Sequence, residues 1–294
     1  MRKIAWLVVA AVLVLGATGF AVVHVVAGGQ AKASVQVPTT TKTYAMTVAG
    51  GKRSYAVIAP EGRLPSSAPV IVFLSGLGAS VGDEVSRDDI APYARADEAE
   101  LVYPVAVGES WNATGCCGYA SAHDVNDVAF LKALVAKVNP GNKRTIDLIG
   151  FSNGARLAYR IACTDPGLFD AYAMVKGVPM PGCVVHQPLT LIQLAAVDDS
   201  EIPYKPGDHG LEPLPVTTEV SRLRSSNQCV ATSAVTHSLD MTLTSWSECA
   251  GGTRLAFAVW PEGDHLFPRP PITKQSAAAV IWSFLTQTAL APLP

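Results

Sequence analysis

Apolar residues are distributed along this chain in distinct patterns, and each predicts a different kind of element. Residues 69–74 (PVIVFL) form an uninterrupted apolar run, the pattern of a strand covered on both faces. Residues 101–107 (LVYPVAV) and 145–149 (TIDLI) read the same way, and 171–175, 189–196 and 255–260 supply further short runs. Residues 44–48 and 54–59 instead alternate apolar with polar positions around Ala49-Gly50-Gly51-Lys52-Arg53, which predicts an opening β-hairpin. Residues 127–138 and 155–163 carry apolar positions at helical spacing, and 276–287 read as a closing helix. Strands therefore alternate with helices through most of the chain. That order predicts an α/β domain with a mostly parallel sheet, helices on both faces and ligands at the C-terminal ends of the strands. Residues 203–252, rich in Pro, Ser and Thr, interrupt the pattern and read as an insertion packed over the sheet edge before the last strand.

The N-terminus follows a different rule. Arg2 and Lys3 precede residues 4–28, a stretch without Asp, Glu, Lys or Arg in which His24 is the only titratable group. A basic start followed by an apolar run is an export signal. Its length also suits a single membrane anchor through residues 4–28, since about 20 apolar residues span a bilayer. Ala31-Lys32-Ala33 matches an A-x-A cleavage site, so residues 1–33 are expected as a signal peptide or an N-terminal anchor. Residues 34–43 are expected as a polar linker and 44–294 as the folded domain. Either outcome places that domain outside the cytoplasm, secreted or held at the outer face of the membrane. There the six Cys are expected to pair rather than to bind metal. Cys229 and Cys249 would close the insertion, leaving Cys116, Cys117, Cys163 and Cys183 to pair among themselves, a vicinal bridge included.

Charge narrows the partners. With 22 Lys+Arg against 24 Asp+Glu and a formal net charge of −2, the chain lacks the basic balance of a nucleic-acid binder. Charged residues make up 16% of it, against roughly 25% for an average soluble domain. No metal-ligand spacing and no phosphate-binding Gly-rich loop stands out, so no cofactor is expected.

The chemistry concentrates at Gly150-Phe151-Ser152-Asn153-Gly154, where the strand TIDLI runs into G-x-S-x-G and a helix leaves it at once. Such a turn forces the serine hydroxyl into the open, and the small flanking residues let strand and helix pack closely. A second match, Gly78-Ala79-Ser80-Val81-Gly82, lies past the end of its strand and is followed by Asp83-Glu84-Val85-Ser86 rather than an apolar-periodic helix. Ser80 therefore reads as a loop serine and Ser152 as a nucleophile. A serine needs a base oriented by an acid, following it in the order Ser, Asp/Glu, His. Gly-Asp-His occurs twice. His265 follows the strand RLAFAVW and is expected as the base, whereas His209 has no strand before it and reads, like His237, as a surface histidine. The acid should follow the run 189–196, where Asp198 and Asp199 both fit. Oxyanion donors are expected from the backbone N–H groups of Asn153, after the nucleophile, and Leu77, in the loop after PVIVFL. Trp111 could line the substrate pocket or simply pack. Asp127 reads first as the N-cap of its helix and second as a tie to the active-site loops.

These residues carry a resemblance. Lys52-Arg53-Ser54-Tyr55, Ser110-Trp111-Asn112-Ala113 with Gly115-Cys116-Cys117-Gly118, the segment 125–131, the elbow with the helix to Cys163, and Gly263-Asp264-His265 together resemble the secreted polyhydroxybutyrate depolymerase and feruloyl-esterase-like group of α/β-hydrolases. The group's acid loop reads D-x-x-V-P, and Asp199-Ser200-Glu201-Ile202-Pro203 aligns with it, which selects Asp199. The group carries His-Gly-x-Gly at the oxyanion loop, and Ser75 stands here where the His would be. The resemblance implies an α/β-hydrolase fold and a monomeric serine esterase acting on small-molecule or polymeric esters of polyhydroxyalkanoate, feruloyl or acetyl type. A cell-envelope acyltransferase with the same triad and a non-catalytic binding protein on this scaffold are the rival readings.

Overall fold

A computed structural model of the chain describes residues 39–290 apart from 49–50, 63, 211–213, 231–232 and 289. The export or anchor segment lies outside the described residues. In chain order the strands and helices are β1 (Thr39–Val48), β2 (Gly51–Pro60), β3 (Val70–Leu74), α1 (Val81–Val85), α2 (Ala91–Ala96), β4 (Glu100–Pro104), α3 (Gly118–Ala122) and α4 (Asp127–Val138). There follow β5 (Ile146–Phe151), α5 (Asn153–Thr164), β6 (Ala171–Val175), β7 (Thr190–Ala196), α6 (Val216–Ser226), β8 (Ala234–Ser238), β9 (Met241–Trp246), β10 (Leu255–Trp260) and α7 (Ala277–Thr286).

Among the described residues ten strands form one sheet in the order β1-β2-β4-β3-β5-β6-β7-β10-β9-β8. The six from β4 to β10 run parallel, and antiparallel hairpins close both edges. The continuous apolar runs fall in the middle, as burial on both faces requires. Successive residues of β3 serve opposite faces: Val70, Val72 and Leu74 join the core that includes α4, α5 and α6, and Ile71 and Phe73 join the one that includes α2 and α7. Chain order reverses between β3 and β5, which pair directly. Loops leaving the C-terminal ends of these two strands therefore diverge and open a crevice, the usual ligand position in such sheets.

Two expectations change. The stretch read as a linker is paired from Thr39 onward, because Thr-rich sequence suits an edge strand and β1 finds a partner along the whole of β2. The segment 203–252 does not lie over the sheet edge. It contributes α6, whose Val216, Val220 and Leu223 are buried at helical spacing, and then β9, which pairs antiparallel with β10 and extends the sheet. The Cys229–Cys249 disulfide joins the end of the α6 region to the segment after β9. Cys163–Cys183 and the vicinal Cys116–Cys117 account for the other four cysteines.

Candidate active site

Ser152 sits between β5 and α5 with φ 50° and ψ −115°, a conformation that a residue with a side chain adopts at a cost of order 1–3 kcal/mol. Surrounding packing enforces it. A Cβ on Gly150 would lie 2.5 Å from the Gly154 carbonyl oxygen, and one on Gly154 would collide with the Leu74 carbonyl, so only glycine lets strand and helix approach this closely. The turn is fastened on both sides: the Ser152 N–H donates to the Val175 carbonyl at 2.9 Å, and its own carbonyl accepts from the Arg156 N–H at 3.1 Å.

The three side chains singled out in the sequence lie in one line. Ser152 Oγ is 2.8 Å from His265 Nε2, and His265 Nδ1 is 3.0 and 3.1 Å from the two carboxylate oxygens of Asp199. Because an ionised carboxylate only accepts, Nδ1 carries the imidazole proton and Nε2 is left to accept from the serine hydroxyl. Asp199 Oδ1 also accepts the Glu201 and Ile202 N–H groups, both at 2.9 Å, which fixes the carboxylate in place. The neighbouring carboxylate has a different task. Asp198 accepts the Gly263 N–H at 3.1 Å and the Asp264 N–H at 2.9 Å, so it ties the acid loop to the loop that carries His265. Asp264 returns the tie by accepting the Ser200 N–H at 3.1 Å. His209, in the second Gly-Asp-His, is exposed, and His237 is exposed against Thr242.

Sequence reasoning missed two groups here. Lys176, fully buried after β6, donates from Nζ to the Gly263 carbonyl at 3.0 Å and to the Asp264 carbonyl. Burial pulls its ammonium down to about 8, opposed by Asp199, Asp198 and Asp264. Glu201, half exposed, brings Oε2 to 3.4 Å of His265 Nε2, on the open side of the ring. A lysine inside an otherwise apolar run (AYAMVKGVP) was the available signal for the first. The second gave none beyond its place in the acid loop.

On the opposite side of Ser152 the loop after β3 passes close by, since a Cβ on Gly76 would lie 3.7 Å from Ser152 Cβ. The backbone N–H groups of Leu77 and Asn153 have no hydrogen-bond partner among the described residues, Asn153 because the first amides of a helix have no intrahelical acceptor. A cavity of about 400 Å³ opens over this point, lined among others by Leu77, Ser152, Asn153, His265 and Glu201, with Phe151 and Phe267 as apolar walls. A larger concavity of about 750 Å³ lies between residues 179–184 and α6, but Ser152, His265 and Asp199 do not line it. Chemistry rather than size marks the smaller one as the site.

Trp111 does not line this cavity. Its side chain is wholly buried and its indole N–H donates to the Ser75 carbonyl at 3.0 Å. Its backbone exchanges two bonds with the Asn153 side chain, at 2.7 and 3.1 Å, so it braces the two oxyanion segments against each other. Asp127 is likewise not the cap: the Asn126 side chain accepts the Ala129 N–H at 3.0 Å. The Asp127 carboxylate instead accepts the Asn112 N–H at 2.7 Å and pairs with Arg53 at 2.8 Å, which anchors the Trp111 loop. The vicinal disulfide lies at the rim, with both sulfurs within 3.0 Å of Arg156 Nη1.

A hydroxyl on a strained turn, hydrogen-bonded to an imidazole that a fixed carboxylate orients, beside two open amides, is the equipment of acyl transfer. No family model matches the chain. NocK of Nocardia uniformis subsp. tsuyamanensis, classed by name with the esterases, is 30% identical over 188 residues, which are 61% of this chain and 53% of that protein. Feruloyl esterase C of Emericella nidulans is 26% identical over 166 residues, 53% of this chain and 58% of that protein. The chain thus spans little more than half the length of the curated relatives it matches. Among solved structures, acetyl xylan esterase from Aspergillus awamori superposes with a TM-score of 0.54 at 14% identity, covering 78% of this chain and 96% of that one. The fold is that of the α/β-hydrolases. The curated relatives and the structural neighbours are carboxylic ester hydrolases.

Proposed function

We propose that this chain is an extracytoplasmic serine esterase that hydrolyses carboxylic esters through an acyl-enzyme. The observation that carries the reading is the unbroken run from Ser152 Oγ through His265 to Asp199, set at a turn whose neighbouring amides are open. Ser152 attacks the ester carbonyl while His265 Nε2 takes its proton, and Asp199 holds the imidazole in the tautomer this requires. The N–H groups of Leu77 and Asn153 bind the oxyanion, an arrangement in which one donor is worth about 3 kcal/mol. His265 then protonates the leaving alcohol, and a water activated by the same nitrogen releases the acid. The acyl group is of the feruloyl, acetyl or hydroxyalkanoate kind, and the protein acts as a monomer. The basic-then-apolar N-terminus and the three disulfides support delivery outside the cytoplasm, with residues 4–28 as leader or anchor.

The test is a p-nitrophenyl ester chain-length series, run with and without an added alcohol. The expected result is turnover that is lost in Ser152→Ala, with free acid as the main product. Transfer to the alcohol in preference to water would make the protein an acyltransferase, and no turnover of any ester would remove the enzyme reading.

A further inference from the structure

The loop that carries the Leu77 amide is held from within by a buried acid. Ser80 starts α1 with a reciprocal pair of bonds: its hydroxyl accepts the Asp83 N–H at 3.2 Å, and its own N–H donates to the Asp83 carboxylate at 3.1 Å. The chain therefore turns into a helix immediately after the loop and brings Glu84 back beneath it. Glu84 is 1% exposed, and its Oε2 accepts the Gly76 N–H at 3.3 Å. On the other side of Leu77, the Gly78 N–H donates to the Glu109 carbonyl at 2.8 Å. Leu77 thus lies between two anchored amides while its own remains open. The anchored backbone runs alongside the turn, because a Cβ on Gly76 would come to 3.0 Å of the Phe151 ring.

Burying this acid is costly. Asp88, also fully buried, follows four residues later and accepts the Tyr103 hydroxyl at 2.6 Å and the Ile90 N–H at 2.9 Å. Asp83 and Arg87 complete the charged groups around Glu84, and burial pushes both buried carboxyls up to about 7. An apolar side chain would fill the same space without that cost, but it would leave the Gly76 N–H without an acceptor.

We propose that Glu84 is a positioning residue of the oxyanion hole, its carboxyl oxygen fixing the peptide that aims the Leu77 N–H at the reacting carbonyl. The inference rests on the esterase reading and adds a residue that touches no substrate. Its test compares the full chain with Glu84→Leu, which keeps the volume and removes the acceptor, and Glu84→Gln, which keeps a carbonyl acceptor. Steady-state kinetics on p-nitrophenyl butyrate and the rate of Ser152 labelling by a fluorophosphonate are measured on each. Glu84→Leu is expected to lower kcat roughly tenfold with KM within about twofold, a smaller loss than outright removal of a donor, and to slow labelling in parallel. Glu84→Gln is expected to recover most of both rates. If wild type hydrolyses and labels while Glu84→Leu matches it, or if only KM moves, or if Gln fails as badly as Leu, the role assigned to Glu84 is wrong and the esterase reading stands. A wild type that neither hydrolyses nor labels overturns both.

Discussion

The chain contains G-x-S-x-G twice, and the two copies have opposite fates. Ser152 has φ 50° and ψ −115°, leaves a central strand, and presents its hydroxyl to His265 at 2.8 Å. Ser80 has φ −74° and ψ 165°, an ordinary extended conformation, and its hydroxyl accepts the Asp83 N–H at 3.2 Å to cap a five-residue helix. The difference lies in what the glycines touch. Gly150 and Gly154 are closed off by Gly154 and Leu74 backbone, whereas a Cβ on Gly78 would meet nothing within 4 Å and one on Gly82 only the Ser80 hydroxyl at 3.8 Å. The five-residue pattern permits a tight turn. Only a buried strand and a packed helix on either side force the strained serine, so the first copy became a cap and a support for the loop beside the second.

The sharpest way to break the comparison is to remove each hydroxyl. Ser152→Ala is expected to lower kcat by about 10⁴-fold or more, because members of a triad act as a unit. Ser80→Ala should keep turnover within about threefold and cost about 1 kcal/mol in urea unfolding, the worth of an N-cap. The same contrast applies to the paired acids. Asp199→Asn is expected to lower kcat by about 10⁴-fold through loss of the imidazole orientation, read in the same ester assay. Asp198 accepts the Gly263 and Asp264 amides on separate oxygens, so Asp198→Asn keeps an acceptor for one of them and loses the other, and it is expected to cost at most roughly tenfold. A steep loss in Asp198→Asn with a mild one in Asp199→Asn would exchange their roles.

The smallest effect concerns pH and separates the two regions by charge. Glu84 and Asp88, in the segment Ser80 introduces, are pushed up to about 7 by burial, as are Asp147 in β5 and Glu219 in α6. A carboxyl whose folded value is raised favours the fold while protonated, and that contribution is lost as pH climbs from the ordinary carboxyl range to about 7. Thermal unfolding is therefore expected at a higher temperature at pH 5 than at pH 8. Replacing Glu84 by Gln should flatten part of that slope, whereas Ser80→Ala should shift the curve without changing its slope. A melting temperature that rises with pH over this range would show that these acids are not held as described.

Much of the fold was legible in the chain. The runs PVIVFL, TIDLI and RLAFAVW are largely apolar because their strands are covered on both faces, with Asp147 the one acid inside them, and they form the parallel strands that set the site. Ser152 can be placed because it directly follows such a strand, and His265 because it lies in the loop that leaves another. The choice between Asp198 and Asp199 could not be made from spacing, since both lie past β7 and only their side-chain directions differ. For a related reason the sequence leaves open whether Trp111 lines the pocket or packs, and it favours the cap over the loop tie for Asp127. Their partners, Ser75, Asn153, Asn112 and Arg53, are as many as 74 residues away in sequence, and no local pattern records such bonds. The helix α6 shows no clear apolar stripe because Thr, Ser and Arg surround its three buried apolar positions and the fourth buried position is Glu219, and β8 shows none because it is an exposed edge strand with little to bury.

In the proposed mechanism Ser152, not Ser80 or any other serine, is the nucleophile. That role is tested most directly by treating the full-length chain with a fluorophosphonate and locating the adduct by peptide mass mapping. A single adduct is expected, on Ser152, absent from Ser152→Ala, abolished by prior unfolding and retained in Ser80→Ala. An adduct on another serine, or none on folded protein, would contradict it.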